Sequence, residues 1–359
     1  MTTISKLNIT RLRNIDQLSL LPGELINVIS GPNGSGKTSI LEAIYLLGVG
    51  RSFRSAKVAP LIQEGSKDCT VFCELDGGAV AMGLQKSRLQ KPILKLQGNK
   101  QPNWIEAAKL LPLQILDANT FLLLEGSPKV RRRFLDWGVF HVEPSFVDHW
   151  RNSRVCIANR NQLLKGKSLD RSQLAAWDSE FGREAAHIDS ARSVYFEAFQ
   201  QVLAEVLREI APESPAILSY FRGWDPGLDL TTVLSGNLDS DRRYGLTQAG
   251  PHRADIQIRV GKLNAAEVLS RGQQKMLVSA MKIAQAILLA RSTSRTCVFL
   301  IDDLPAELDE KNRATVCRYL ARLDSQVFIT CVDERSLQHC WDAGIAIRKF
   351  HVEHGKIHP

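Results

Sequence analysis

The chain has 359 residues, 44% hydrophobic and 23% charged, a balance that supports a substantial buried core and excludes a disordered chain. No run of about 18 apolar residues occurs, and residues 1–6 lead into no apolar targeting segment, so a cytoplasmic location without a membrane partner is expected. Lys and Arg outnumber Asp and Glu by 46 to 38, which suits a polyanionic partner, while the 7 cysteines lie scattered in apolar surroundings and read as reduced core thiols, with no second ligand pair to make Cys69 and Cys73 a zinc site.

Ile4, Leu7 and Ile9, then Leu18 and Leu20, alternate as strands do. The apolar run of residues 25–29 predicts a buried strand ending at Ser30-Gly31. Ile40, Leu41, Ile44, Tyr45 and Leu47 follow at helical spacing, and Gly48 to Gly50 are expected to stop that helix. Between strand and helix stands Gly31-Pro32-Asn33-Gly34-Ser35-Gly36-Lys37-Thr38, which fits G-x-x-x-x-G-K-[ST] in the strand-loop-helix context that this phosphate-binding loop requires. Its glycines let successive N–H groups turn toward phosphate oxygens, and the helix N-terminus adds its positive end. Lys37 is expected to reach the β and γ phosphates of ATP, and the Thr38 hydroxyl, beside Ser39, to ligate Mg2+.

Residues 68–100 read as short antiparallel strands with turns at Gly77-Gly78 and Gly98-Asn99. From Pro144 to about Ile210 the period becomes helical, with a break at residues 165–168 that predicts a hairpin whose arms are too short for a coiled-coil rod. Strand-like alternation returns at 216–221 and 255–260, and a helix is expected from near Gln273. The expected organisation is an N-terminal ATPase part over 1–140, a helical insertion lobe over 141–244 and a C-terminal ATPase part over 245–359.

An acid that holds magnesium opposite Thr38 is needed, and the apolar run of residues 298–301 delivers Asp302 and Asp303 at its end. Asp302 is the candidate metal residue and Asp303 the candidate for orienting or deprotonating the attacking water; with Lys37 they form the candidate catalytic set. Either aspartate would also serve as a helix cap.

Just upstream lies Leu269-Ser270-Arg271-Gly272-Gln273-Gln274-Lys275, which resembles the LSxGQ signature of ABC-type ATPases, the SMC-like branch included. The resemblance implies that Ser270, Arg271, Gly272 and Gln273 bind the γ-phosphate of nucleotide held by a second protomer. Ala306-Glu307-Leu308-Asp309 resembles the D-loop of the same class. Residues 327–330 resemble its switch strand, although Thr330 stands where transporter ATPases carry His, which argues against a transporter subunit. Arg13-Asn14 resembles the nucleotide-side contact of SMC-like heads. A phosphate-transferring kinase would have no use for the signature.

Further stretches resemble the RecF family of recombination mediators: Gly50-Arg51-Ser52-Phe53-Arg54-Ser55, Gly126-Ser127-Pro128-Lys129 with residues 131–137, and Gly250-Pro251-His252-Arg253-Ala254-Asp255. Residues 116–120 depart from the Pro-Glu-Asp type of turn common there, leaving Gln114 as the Q-loop candidate. This resemblance implies an α/β, ABC-type P-loop ATPase head with a flanking antiparallel sheet and a helical insertion lobe. It also implies ATP and Mg2+ as cofactors, a weak DNA-stimulated ATPase, and an ATP-dependent homodimer on duplex, gapped or junction DNA. RecO and RecR are the implied partners in loading RecA onto single strands, with links to replication-fork maintenance and SOS induction. Asp303 is one methylene shorter than the usual Glu, so slow turnover is expected. Arg51, Arg54 and Lys57, then Arg131 and Arg132, are the candidate DNA contacts, with further basic residues at Arg133, Arg151, Arg154 and Arg160; a basic groove without a base-reading module predicts weak sequence preference. The alternative is an ATP-switched scaffold whose partners supply the DNA contacts.

Overall fold

The computed structural model describes residues 2–55 and 57–358. In chain order it begins β1 (Ile4–Leu12), β2 (Ile15–Leu20), β3 (Ile26–Ser30), α1 (Lys37–Val49), β4 (Asp68–Leu75), β5 (Val80–Ser87), β6 (Ile93–Leu96), β7 (Asn99–Gln101), α2 (Ile105–Leu110) and β8 (Leu113–Leu116). Next come α3 (Leu122–Glu125), α4 (Pro128–Val142), α5 (Phe146–Lys165), α6 (Arg171–Ile210), β9 (Ile217–Phe221), α7 (Leu230–Gly236), α8 (Leu238–Tyr244), β10 (Asp255–Val260), β11 (Leu263–Asn264) and α9 (Ala265–Val268). The chain closes with α10 (Arg271–Thr293), β12 (Val298–Ile301), α11 (Leu304–Glu307), α12 (Glu310–Ala321), β13 (Val327–Cys331), β14 (Ile347–Glu353) and β15 (Lys356–His358). Two compact units divide these elements, one holding the chain up to Thr120, Val206–Pro212 and everything from Lys275, the other Phe121–Glu205 and Glu213–Gln274.

The first unit is built on a sheet of order β15-β14-β3-β13-β12-β8, parallel from β14 to β8. β3, β12 and β13 are buried along their whole length, as expected of strands covered on both faces, which is why they read as unbroken apolar runs. A second sheet, β2-β1-β4-β5-β6-β7, is antiparallel throughout; this is the flanking sheet the alternation predicted. α1 lies between the two sheets: Ile40, Leu41, Ile44 and Leu47 share one core with Leu7, Ile9, Val71 and Cys73 and with Ile29, Val298, Leu300 and Phe328. Each such side chain contributes about 1.5–3 kcal/mol by burial, and a helix apolar on all sides is the sequence that this sandwiched position requires.

The helix stop expected over Gly48 to Gly50 falls on the last of them. α1 continues through Gly48 to Val49 and ends on Gly50 at φ 75°. Gly48 is there for space, since a Cβ would lie 2.7 Å from Leu113 Cδ1 and 2.9 Å from Leu111 O.

The second unit contains the predicted helical hairpin of α5 and α6, the latter as far as Glu205, and a small antiparallel sheet, β11-β10-β9. Its limits differ from the expected 141–244. α4 belongs to it because Phe134 meets Phe199 of α6 with ring centroids 5.5 Å apart, and because Arg192 of α6 grips Asp136 at 2.8 Å. The strands up to residue 260 join it through β9 pairing with β10. Local alternation identified those strands without saying which sheet they enter.

Candidate nucleotide site

The parallel strands β3, β12 and β13 end together, with Ile301 beside Ile329 and Thr330 beside Ile29, so the loops leaving them converge at their carboxyl ends, where open α/β sheets bind ligands. After β3 the chain turns at Gly31, where φ is 147° and a Cβ would lie 2.2 Å from Val352 O; no other residue fits. Gly36, left-handed at φ 117°, opens α1, and the first backbone-bonded amide is Ile40 onto Gly36 O at 3.1 Å. The N–H groups of the first turn are therefore available to an anion. Lys37 is buried and donates to Gly31 O at 2.7 Å and Pro32 O at 2.9 Å. Burial pulls its pKa down, with Asp303 pulling it back up. Ser35 Oγ is buried without a hydrogen-bond partner, a further polar group of the cradle left over for a ligand. Asn33, Gly34, Gly36 to Ser39, Asp302, Asp303 and Thr330 line one cavity of about 720 Å³.

The acidic pair sits opposite. Thr38 donates to Asp302 Oδ1 at 2.9 Å, and Thr330 donates to the same oxygen at 2.8 Å while accepting from the Asp303 N–H at 2.7 Å. Thr330 is fully buried and ties the two aspartates together; sequence reading placed it on the switch strand and could not supply this contact, which depends on the register of β12 and β13. Asp303 begins α11 at φ 49° and ψ 51° without a side-chain cap bond, so helix capping does not account for its carboxylate. Burial first, then the neighbouring Asp302, raises its pKa above the ordinary aspartate value, opposed by Lys37.

Around the rim, Asn14 donates to Gly34 O at 2.8 Å and accepts from Ser39 at 3.1 Å, bracing the loop from behind. Arg13 is held by Glu42 through Nε and Nη2, both at 2.8 Å, and donates to Pro60 O at 2.7 Å. It lines the cavity with most of its donor capacity taken by the fold. Glu42 is wholly buried and also accepts from Ser52, anchoring the Gly50–Ser55 segment. Glu42 was not singled out from sequence, because an acid inside an apolar helix announces no partner. Gly355 N donates to Ser35 O at 2.7 Å, so the C-terminal hairpin also supports the loop. Gln114 is not at this cavity: it is buried in β8 and donates to Gln285 at 3.0 Å, so the Q-loop expectation for it is corrected.

Residues 269–274 of the signature segment belong to the second unit. Ser270 Oγ accepts from Gln273 N at 3.3 Å and Gln273 Oε1 accepts from Ser270 N at 2.9 Å, a reciprocal capping box. Gln274 is buried and holds Ala266 O and Leu269 O, both at 2.9 Å, which fixes the approach to the helix. Arg271 stays exposed, paired with Glu125 and stacked 5.0 Å from the Phe121 ring.

Among the DNA-contact candidates, Arg51 and Lys57 are exposed, and Arg54 lines the phosphate cavity. Arg131 and Arg132 are corrected. Arg131 forms a two-point pair with Asp255 at 2.8 and 2.9 Å and also holds Gly126 O, and Arg132 donates to Ala254 O at 2.8 Å. Three consecutive helical residues face three ways, and only Arg133 is exposed. Arg160 is likewise internal, paired with Asp178 and Asp241 at 2.6 Å.

Fold and site together define an ABC-type P-loop ATPase head. The family "RecF/RecN/SMC N terminal domain" matches residues 3–357. The "DNA replication and repair protein RecF" of Pseudomonas syringae pv. tomato is 44% identical over 358 residues, covering 99% of this chain and 98% of the relative, and that of Pseudomonas paraeruginosa is 45% identical, covering 99% and 97%. The chain therefore belongs to the RecF/RecN/SMC family, on its RecF branch. Among solved structures, the recombination mediator protein RecF-ATP in the RecFOR pathway superposes with a TM-score of 0.85 at 24% identity, covering 99% of this chain and 97% of that one. The Smc head domain from Pyrococcus furiosus gives 0.58 at 15%, covering 99% and 95%; both likenesses speak to fold.

Proposed function

We propose that the chain is a slow, DNA-stimulated ATPase that dimerises with ATP and clamps duplex, gapped or junction DNA during recombinational repair. The observation that carries the reading is the Thr38–Asp302 contact of 2.9 Å with Asp303 held beside it by Thr330. A hydroxyl and a carboxylate this close are the hard oxygen donors that Mg2+ prefers, and when bound the ion supplies charge neutralisation between phosphate oxygens. Lys37, now satisfied by two loop carbonyls, exchanges them for phosphate oxygens. Asp303, whose pKa burial and Asp302 raise above the ordinary aspartate value, accepts the proton of the attacking water once ionised. Ser270 and Gln273 present the start of α10 to nucleotide on a second copy, so loss of the γ-phosphate opens the dimer and releases DNA.

The names of the relatives, with DNA replication and repair in them, support DNA as the partner, and the RecFOR pathway named for the similar structure supports RecO and RecR, with RecA loading as the outcome. A DNA partner supports a cytoplasmic location; no helix among the described residues is long and apolar enough to cross a membrane. One observation favours the scaffold alternative: Arg131, Arg132 and Arg160 are spent inside the fold, which leaves fewer basic side chains for phosphate contact.

Sedimentation of the protein without nucleotide, with ADP, or with a non-hydrolysable ATP analogue, with and without labelled duplex at two salt concentrations, tests both readings. An ATP-specific dimer carrying DNA, weakened by salt, is expected. A dimer that ignores DNA selects the scaffold, and a monomer throughout overturns the role of the signature in trans.

A further inference from the structure

Two of the stretches that carry the family resemblance, residues 126–137 and 250–255, take no part in the nucleotide cavity, and the fold of the second unit locks them to each other. Arg131 joins Gly126 O to the Asp255 carboxylate, and Arg132 donates to Ala254 O at 2.8 Å. Arg192 of α6 donates to Pro251 O at 2.8 Å while pairing with Asp136. Gly250, at φ 131°, donates to Gly223 O at 3.1 Å, and a Cβ there would lie 2.7 Å from Phe181 Cζ. The turn that follows is therefore fixed, and it leaves Arg253 exposed.

Lys129 and Arg133 lie one turn apart on α4, both exposed, and Arg132 between them is bonded to the residue next to Arg253. The acids of the two stretches, Asp136 and Asp255, are taken up by Arg192 and Arg131, and no ion pair reaches Lys129, Arg133 or Arg253 among the described residues. Such an arrangement works against the helix, because like charges one turn apart repel and a cation in the first turn opposes the helix dipole. α4 has no acid in that turn, and the exposed Ser127 before it makes no side-chain cap bond. Unpaired cations held on a rigid frame at a local cost in stability suit an anionic partner.

We propose that Lys129, Arg133 and Arg253 form a phosphate-binding surface of the second unit that contacts the backbone of duplex DNA without reading its bases. This surface rests on the reading of DNA as partner and adds a second contact region to that of Arg51 and Lys57. Among the described residues no large apolar side chain of either stretch is exposed, so a protein partner would lack the buried anchor on which protein interfaces depend, whereas phosphate contacts need only donors and cations within reach.

The test uses the full chain, a short fluorescent duplex and a non-hydrolysable ATP analogue. With Lys129→Ala, Arg133→Ala and Arg253→Ala combined, affinity at low salt should fall at least about tenfold, and the slope of log affinity against log salt should flatten by about one per side chain removed. ATP-dependent dimerisation in sedimentation should be unchanged. In the unaltered protein the duplex should protect Lys129 from acetylation, mapped by mass, and added salt should remove the protection; this readout stands even if the variant does not fold. Unchanged affinity and slope, or a Lys129 acetylated equally with and without duplex, overturns the proposal and leaves DNA as the partner. A variant that keeps duplex binding and loses binding to polyglutamate assigns the surface to an acidic protein and also overturns it. Unaltered protein that takes up no duplex in any nucleotide state overturns both the surface and the DNA reading.

Discussion

At the scale of single residues, Thr330 is the hinge of the candidate chemistry. Its hydroxyl satisfies a buried amide and orients a carboxylate at once, so Thr330→Val orphans the Asp303 N–H and removes a donor from Asp302. The expected cost is about 1–3 kcal/mol in urea unfolding, with kcat falling more than KM rises, and Thr330→Ser should restore both. Asp303 carries the pH dependence. Its pKa is raised in the folded state by burial and by Asp302, so the folded protein binds this proton more tightly than the unfolded chain. Its contribution to stability is therefore present below the unfolded value and is lost as pH rises through the folded one. For turnover the sign is opposite, because a base must be ionised: the acid limb of kcat should lie above the ordinary aspartate range near about 3.9. A pH profile checks this, and an Asp303→Asn variant retaining the same limb would assign it elsewhere.

At the scale of elements, burial decides which charges are free to act. The Arg131–Asp255 pair joins α4 to β10 with both side chains largely covered, at 14% and 16% exposure. Removing one partner strands the other, so Arg131→Met should lower stability by about 3 kcal/mol in chemical denaturation. The same substitution should leave the salt dependence of DNA binding unchanged, whereas Arg51→Ala with Lys57→Ala should weaken binding and flatten its salt slope. Helical geometry alone says that Arg131 to Arg133 cannot all point one way, without saying which of them braces the fold. The faces of α4 separate them, and which face meets β10 is a tertiary fact. Within the Gly48 to Gly50 stretch that reads as a helix stop, Gly50 ends the helix and Gly48 serves as a gap for Leu113.

At the scale of the whole molecule, the proposed switch depends on coupling nucleotide state to self-association. Lys37→Arg keeps the charge and loses the compact ammonium that fits between Gly31 O and Pro32 O, so ATP-dependent dimerisation and DNA binding should fall together. Sedimentation and fluorescence anisotropy of the variant measure both, and ATP-dependent DNA binding that survives intact would separate the clamp from the loop.

The sequence by itself determined the phosphate loop, the acidic pair, the fully buried strands and the helical hairpin, because each is a local pattern: glycines at fixed spacing, apolar runs, a 3.6-residue period. It also made the family resemblance legible through the order of those motifs. Only the tertiary structure decided which charges Glu42, Asp255 and Asp136 would absorb, that Thr330 would bridge Asp302 and Asp303, that Gln114 would turn to Gln285 rather than the cavity, and where the two units divide. Those outcomes depend on register and on the approach of segments far apart in sequence, and no periodicity along the chain encodes which distant neighbour a side chain will meet.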